Sequence, residues 1–192
     1  PSAATAVRLE WRRHGTIARL SADSVRHYCE LTRDHYRKLA ARHQSTTGTD
    51  DASLLCRRPF CMCLRYEAPA CPRPQAAISP DVFDVLRSHL GVETECFASP
   101  LNAQLRSYFS AFYDVDAPFG SHGSFFALES LKGSFEANPP FEPELMRAAV
   151  DHASALMQRA DDAGTALSFA FVVPTWESLP FHRLLVESRW RR

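Results

Sequence analysis

The fold is decided by residues 133–141, which read Gly133-Ser134-Phe135-Glu136-Ala137-Asn138-Pro139-Pro140-Phe141. Residues 134–137 have the length of a short strand, and the apolar spacing over 143–160 predicts a helix after it. Residues 167–173 then form a continuous apolar run, which is typical of a strand covered on both faces of a parallel sheet. This alternation of strands and a helix predicts an α/β fold with crossover helices.

The loop after the strand carries groups that can position an exocyclic amino group for methylation. Such a nitrogen is a poor nucleophile, because its lone pair is delocalised into the ring, so a site must hold its N–H groups and aim it. The side-chain carbonyl of Asn138 and the main-chain carbonyl of Pro139 supply two acceptors. Pro140 stiffens the loop further, and Phe141 can stack on a base. The alternative is an ordinary turn, because Asn-Pro is common in turns.

Two more segments are expected at the same end of the sheet. Residues 92–98 suit a strand, residues 100–112 a helix, and residues 125–128 another short strand. Ligands of open α/β sheets bind beyond the carboxyl ends of the strands. Segments 97–102, 138–141 and 174–177 each follow a predicted strand, so we expect all three on one rim. For the first of them the alternatives are core packing of Phe97 and Ala98, and a helix cap at Ser99-Pro100.

The first ninety residues look helical. The spacing predicts an amphipathic helix over 25–43, a polar loop over 44–53, a helix over 54–67 and a proline-rich connector over 68–77. Ser79 and Pro80 then indicate a helix start, and Gly91 its end. We therefore predict a helical subdomain over 1–90 and a catalytic core over 91–192.

Composition narrows the classes of protein. The 192 residues suit one domain, or one domain with a subdomain, and their formal net charge is zero. Twenty Arg against two Lys reflect either coding bias or a local nucleic-acid surface. No apolar run of membrane-spanning length and no signal peptide pattern occurs, so an intracellular protein without a membrane partner is expected. Four of the six cysteines cluster in the sequence (Cys56, Cys61, Cys63 and Cys71), but their spacing does not match that of paired zinc ligands, so no metal site is predicted.

Two blocks of this sequence resemble a known family. Glu95-Cys96-Phe97-Ala98-Ser99-Pro100-Leu101-Asn102 and the block 133–141 are similar to the two signature blocks of the phosphorylated-CTD-interacting factor family, whose members are cap-specific adenosine N6-methyltransferases. The similarity spans roughly residues 55–180, and the blocks have the right order and spacing.

The resemblance implies a class I, Rossmann-like methyltransferase sheet that uses S-adenosyl-L-methionine. It implies N6-methylation of the 2′-O-methyladenosine next to the mRNA cap, capped RNA as partner and a nuclear location. The RNA polymerase II tail is a further implied partner, although no WW module is present. The resemblance implies that the target base is bound and oriented by Asn138, Pro139, Pro140 and Phe141. It also implies that the RNA substrate is contacted by Phe141, Trp176 and Glu177. It further implies that the methyl donor is bound by Phe97, Ala98, Ser99, Pro100 and Asn102.

The sequence also departs from the family pattern. Pro143 stands where the family has an acidic residue, and the sheet is expected to be incomplete at its C-terminal end. A catalytically inactive RNA-binding or scaffold subunit with the methyltransferase fold therefore stays open as an alternative. A methyltransferase acting on DNA or on small-molecule amino groups is a third reading.

Overall fold

The structure, a computed structural model, describes residues 6–68 and 78–192. The strands are β1 (Val7–Arg12), β2 (Ile17–Ala22), β3 (Val25–Thr32), β4 (Thr94–Ala98), β5 (Ser107–Ser110), β6 (Gly133–Ala137) and β7 (Leu167–Phe171). The α-helices are α1 (Arg33–Thr47), α2 (Ala52–Glu67), α3 (Pro80–Leu90), α4 (Tyr113–Asp116), α5 (Pro143–Asp162) and α6 (Pro180–Val186). Short 3-10 helices span Ala117–Phe119 and Phe125–Ala127.

These elements form two compact units. The first contains residues 6–68 and takes in Phe112–Ser121, and the second contains residues 78–111 and His122–Arg192. These units are groups of residues that lie close together, and they do not test domain boundaries. The division into a subdomain over 1–90 and a core over 91–192 therefore stays a prediction.

The first unit contains an antiparallel sheet that the sequence analysis did not predict. Its order is β1-β2-β3, and every second residue of β2 is buried. The prediction that residues 1–90 are helical is therefore wrong for residues 7–32, including the first part of the helix expected over 25–43. The helix itself begins at Arg33, where the Thr32 hydroxyl accepts a hydrogen bond from the His35 amide at 3.2 Å. It also continues to Thr47, into the segment that was expected to be a loop.

The second unit is built on a parallel sheet of four strands in the order β5-β4-β6-β7. This confirms an α/β fold with a parallel sheet. The helix predicted over 100–112 is wrong, because the chain makes a turn after β4 and then forms β5. The short strand predicted over 125–128 is also wrong, since Phe125–Ala127 is a 3-10 helix.

Helices cover both faces of this sheet. The apolar stripe of α5, which includes Ala149 and Leu156, packs against Phe135 and Ala137 of β6. On the opposite face, Phe83 of α3 belongs to a cluster that Ala170 of β7 joins. The alternation of side chains along β6 and β7 puts these two clusters on opposite faces.

The last strand differs from its prediction. The strand of a parallel sheet predicted over 167–173 forms as β7 (Leu167–Phe171), but it lies at the edge of the sheet and only Leu167 within it is buried. An apolar run does not by itself distinguish a central strand from an edge strand.

Several helix predictions are confirmed. α2, α3 and α5 form where the periodicity places them, with Pro80 in the first turn of α3 and Gly91 after its end at φ 62°. The predicted connector 68–77 lies, apart from residue 68, outside the described residues. Across 6–68 and 78–192, no helix combines the length and the apolar character that a membrane span requires.

Candidate functional site

The two conspicuous sequence blocks meet at the centre of the parallel sheet. β4 and β6 are hydrogen-bonded neighbours, with Thr94 paired to Phe135 and Glu95 paired to Glu136. From β4 the chain continues to β5 on one side, and it then crosses to β6 and β7 on the other side. The winding direction therefore reverses between β4 and β6, and such a switch point is where open α/β sheets bind ligands.

The Asn-Pro-Pro-Phe loop is fixed at both of its ends. At the strand end, the amide of Val172 donates to the carbonyl of Ala137 at 2.9 Å. At the helix end, the Glu142 amide donates to the Pro140 carbonyl at 2.7 Å, and the Glu142 carboxylate accepts from the Leu145 amide at 2.7 Å. Asn138 therefore stands half-buried in a rigid connection between β6 and α5.

The predicted aromatic residues lie together. The rings of Phe141 and Trp176 meet edge to face with centroids 6.4 Å apart. Both rings also belong to the packing around α6: Trp176 meets Phe181 at 6.4 Å, and Phe141 packs on the cluster that contains Phe181. Trp176 nevertheless stays 39% exposed. Glu177 is exposed.

The segment predicted for the methyl donor folds into a self-bonded turn. The amide and the hydroxyl of Ser99 donate to the side-chain oxygen of Asn102, at 2.6 and 2.9 Å. Pro100 is buried inside this turn. Phe97 packs against the ring of Phe125 at 5.0 Å, and Ala98 packs in a small core cluster. These contacts account for the segment structurally, and its role toward a donor stays a prediction.

A buried pair of carboxyl groups lies behind both loops. Glu95 and Glu136 are register partners on β4 and β6, so their side chains project from the same face of the sheet. Glu95 is held by the Leu105 amide, which donates to its Oε1. Glu136 is only 1% exposed, and its Oε1 has no hydrogen-bond partner among the described residues.

Burial of this second carboxyl group changes its acidity. Removal of the Glu136 carboxyl group from water and, secondly, the nearby charge of Glu95 raise its pKa from 4.5 to about 8. Perturbed acids of this kind mark candidate functional sites. The sequence analysis did not single out either glutamate, although a charged residue inside the short apolar strand Gly133–Ala137 was an available signal.

Two cavities open elsewhere on the second unit. One, of about 680 Å³, lies at the amino-terminal end of the sheet and is lined by Gly133, Ser134, Ser168 and Trp190 among others. The other, of about 620 Å³, lies beside α3. Neither of them contains Asn138, Phe141, Ser99 or Asn102. The position at the switch point, rather than a cavity, therefore identifies the candidate site.

The described residues contain no cluster of three or more metal-ligating side chains. Cys29 and Cys63 are free thiols that hydrogen-bond to each other within the first unit. Cys71, one of the four clustered cysteines considered in the sequence, lies outside the described residues.

The parallel sheet, with helices on both faces and a switch point between β4 and β6, defines an α/β domain. Residues 33–192 match the family described as "Phosphorylated CTD interacting factor 1 WW domain". The chain belongs to this family, which confirms the resemblance seen in the two blocks. The matched residues run from α1 to the end of the chain and include the whole parallel sheet.

Two curated relatives are named "mRNA (2'-O-methyladenosine-N(6)-)-methyltransferase", one from Homo sapiens and one from Mus musculus. Each is 43% identical to this chain over 120 residues, which is 62% of the chain. The chain spans 17% of the length of each relative.

Proposed function

We propose that this chain carries part of an S-adenosyl-L-methionine-dependent methyltransferase that acts on N6 of adenosine in RNA. The preferred substrate is the 2′-O-methyladenosine beside the mRNA cap, in agreement with the names of the two relatives. The observation that carries the proposal is that β4 and β6 are neighbours at the switch point, so segments 97–102 and 138–141 leave adjacent parallel strands at the same edge of the sheet.

The chemistry of this rim fits a cationic methyl donor. S-adenosyl-L-methionine, when bound, supplies an electrophilic methyl group on a positively charged sulfur. The buried carboxylate of Glu95 gives the rim negative potential, which favours such a cation, whereas Glu136, with its pKa raised to about 8, is mostly protonated near neutral pH. We propose that the methyl donor is bound by Phe97, Ala98, Ser99, Pro100 and Asn102. The sheet that positions them would then be the Rossmann-like sheet of a class I methyltransferase.

The protein's contribution to the reaction is orientation and charge stabilisation. The side-chain oxygen of Asn138 and the carbonyl of Pro139 accept the two N–H groups of the adenine amino group, which fixes the direction of its nitrogen. The nitrogen becomes positive during the transfer, and the same two acceptors stabilise that charge. The proton leaves afterwards, so no strong base is needed. Phe141 and Trp176 contact the base and its neighbours.

Substrate competition tests the proposal. The full-length gene product is assayed for methyl transfer from labelled donor to capped RNA that begins with 2′-O-methyladenosine. The proposal expects N6-methyladenosine as the product and weak competition by DNA of the same sequence. Donor binding without transfer to any nucleic acid would identify an inactive relative, and equal use of DNA would identify a different substrate class.

We expect Trp176→Ala to weaken capped RNA binding by about 5- to 100-fold, because loss of one base–aromatic stack has that size. Donor affinity should change less than twofold. Anisotropy measures the first and calorimetry the second. Trp190→Ala is the matched control, since Trp190 lies at the amino-terminal cavity with Arg189 over its ring at 4.4 Å. Equal losses of RNA and donor affinity in Trp176→Ala would instead indicate a folding role.

We further propose a nuclear location and an association with the RNA polymerase II tail, on family analogy alone. The tail agrees with the family description, which names CTD interaction. Imaging of the tagged full-length protein tests the location, and a cytoplasmic signal would contradict it.

A further inference from the structure

Trp11 is exposed at a position where the antiparallel sheet normally buries its side chains. Its register partners along the sheet are Ala18 and Leu31, both of which are buried. Paired residues project from the same face, so Trp11 shares the covered face of this sheet. It is nevertheless 45% exposed, because it lies near the end of β1. A tryptophan presented in this way leaves much of its indole surface in water.

Two side chains of α1 hold this indole in place. Tyr36 meets it edge to face with centroids 5.6 Å apart, and the Arg33 guanidinium lies 5.7 Å from its centroid. The Arg33 amide donates to the carbonyl of Thr16 at 2.8 Å, which ties the start of α1 to the β1–β2 turn. Gly15 lets Arg33 lie against that turn, since a Cβ there would come 2.5 Å from the Arg33 Nη2 atom.

The β1–β2 turn presents further basic groups at a conformational cost. Arg13 and His14 have φ angles of 48° and 54°, in the left-handed region that residues other than glycine rarely adopt. Both side chains are exposed at the tip of the turn. Backbone conformations of this kind persist only where the surrounding structure holds them, and they are common at ligand-binding sites.

Arginines of the β1–β2 turn and of the first turns of α1 are available for a ligand. Arg13, Arg33 and Arg37 have no carboxylate partner among residues 6–68 and 112–121, and Arg37 lies one helical turn beyond Arg33. The same ranges contain twelve Arg and Lys against nine Asp and Glu. The ligand that this surface suits is therefore anionic.

We infer that Trp11, Arg33 and the Arg13–His14 turn form a binding surface for single-stranded RNA. An unpaired base stacks on aromatic rings and on guanidinium planes, while neighbouring phosphates pair with arginine. An acidic peptide would form ion pairs with the arginines, but its carboxylates would not stack on the indole ring of Trp11. This inference rests on the proposed function only in taking RNA as the ligand.

Binding of a short single-stranded RNA to the 192-residue chain, followed by anisotropy at two salt concentrations, tests the inference. We expect Trp11→Ala to weaken binding by about 5- to 100-fold. Arg33→Gln should also weaken it and should lower the slope of log affinity against log salt by about 0.7. Because Arg33 is exposed, its variant is expected to fold even if Trp11→Ala does not.

The outer face of the same sheet supplies a matched control. There the Arg19 guanidinium lies 4.1 Å from the ring centroid of Tyr28, which is 52% exposed, but Arg19 is also paired with Glu30 at 2.8 Å. Tyr28→Ala and Arg19→Gln should change RNA affinity less than twofold. Equal losses in the control variants would overturn the inference.

Two further results would also overturn it. One is tight binding of an abasic oligonucleotide or a phosphorylated peptide with the same dependence on Trp11, which would mean that bases are not recognised. The other is an Arg33→Gln variant that binds RNA as well as the wild type does. Failure of methyl transfer alone would reject the proposed function but would leave these binding results interpretable, because they need no methyl donor.

Discussion

Asn138→Ala should lower methyl transfer to capped RNA by about 100- to 1,000-fold. This is the usual loss when one preorganised hydrogen-bonding group of a charge-stabilising site is removed. The alanine variant is expected to keep the loop, because the hydrogen bonds at its two ends come from Ala137, Pro140 and Glu142. What disappears is the acceptor that orients the amino group.

Donor binding separates this effect from misfolding. The affinity of Asn138→Ala for S-adenosyl-L-methionine, measured by calorimetry, should stay within about twofold of the wild type, and Asn138→Asp should retain more transfer than the alanine variant because it keeps an acceptor oxygen. Gln158→Ala is a suitable amide control, since Gln158 lies on the exposed side of α5 with Asp162 as its partner. Full transfer by Asn138→Ala would remove the role assigned to this loop.

Glu136→Gln should make the protein more stable at alkaline pH. The folded protein raises the pKa of Glu136 from 4.5 to about 8, so between these pH values the folded state binds more protons than the unfolded state. The stability contributed by this group is therefore complete below pH 4.5, falls as pH rises toward 8, and is constant above it. The whole shift corresponds to a loss of about 5 kcal/mol.

Glutamine cannot ionise, so the free energy of unfolding of the variant does not fall with pH on account of residue 136. We expect the two proteins to have similar free energies of unfolding near pH 4.5, and the variant to be more stable by about 4 kcal/mol at pH 8. For a chain of this size the gain is about 10 °C in melting temperature. Denaturant titrations of wild type, Glu136→Gln and the exposed control Glu129→Gln measure it. Parallel pH curves for wild type and Glu136→Gln would show that this carboxyl group ionises normally.

The sequence predicted correctly those helices and strands that depend on residues close together in the chain, such as helix-end residues and apolar spacing. α3 follows from Pro80 and Gly91 at its two ends, and α5 follows from a long apolar stripe. β4 and β6 were also predicted, and their arrangement beside each other then follows from the rules for parallel sheets. The three segments expected on one rim do follow three strands that run in the same direction.

The failures occurred where pairing between distant residues decides the structure. Val25, Tyr28, Cys29 and Thr32 have helical spacing, but the same residue types also favour strands, and pairing with β2 makes this segment a strand. Likewise, Pro100 resembles a helix start, whereas the Ser99–Asn102 hydrogen bonds close a turn. The raised pKa of Glu136 comes first from burial and secondly from Glu95, and both depend on how β4 and β6 pack within the folded sheet.

The open margin of β7 has a practical consequence. No described strand pairs with the outer side of β7. The free main-chain N–H and C=O groups along that side of Leu167–Phe171 can therefore pair with a strand of another polypeptide. Concentrated preparations of this chain should therefore self-associate through that margin, and Ser168→Lys should delay the onset of turbidity. An unchanged onset would mean that association, if it occurs, begins elsewhere.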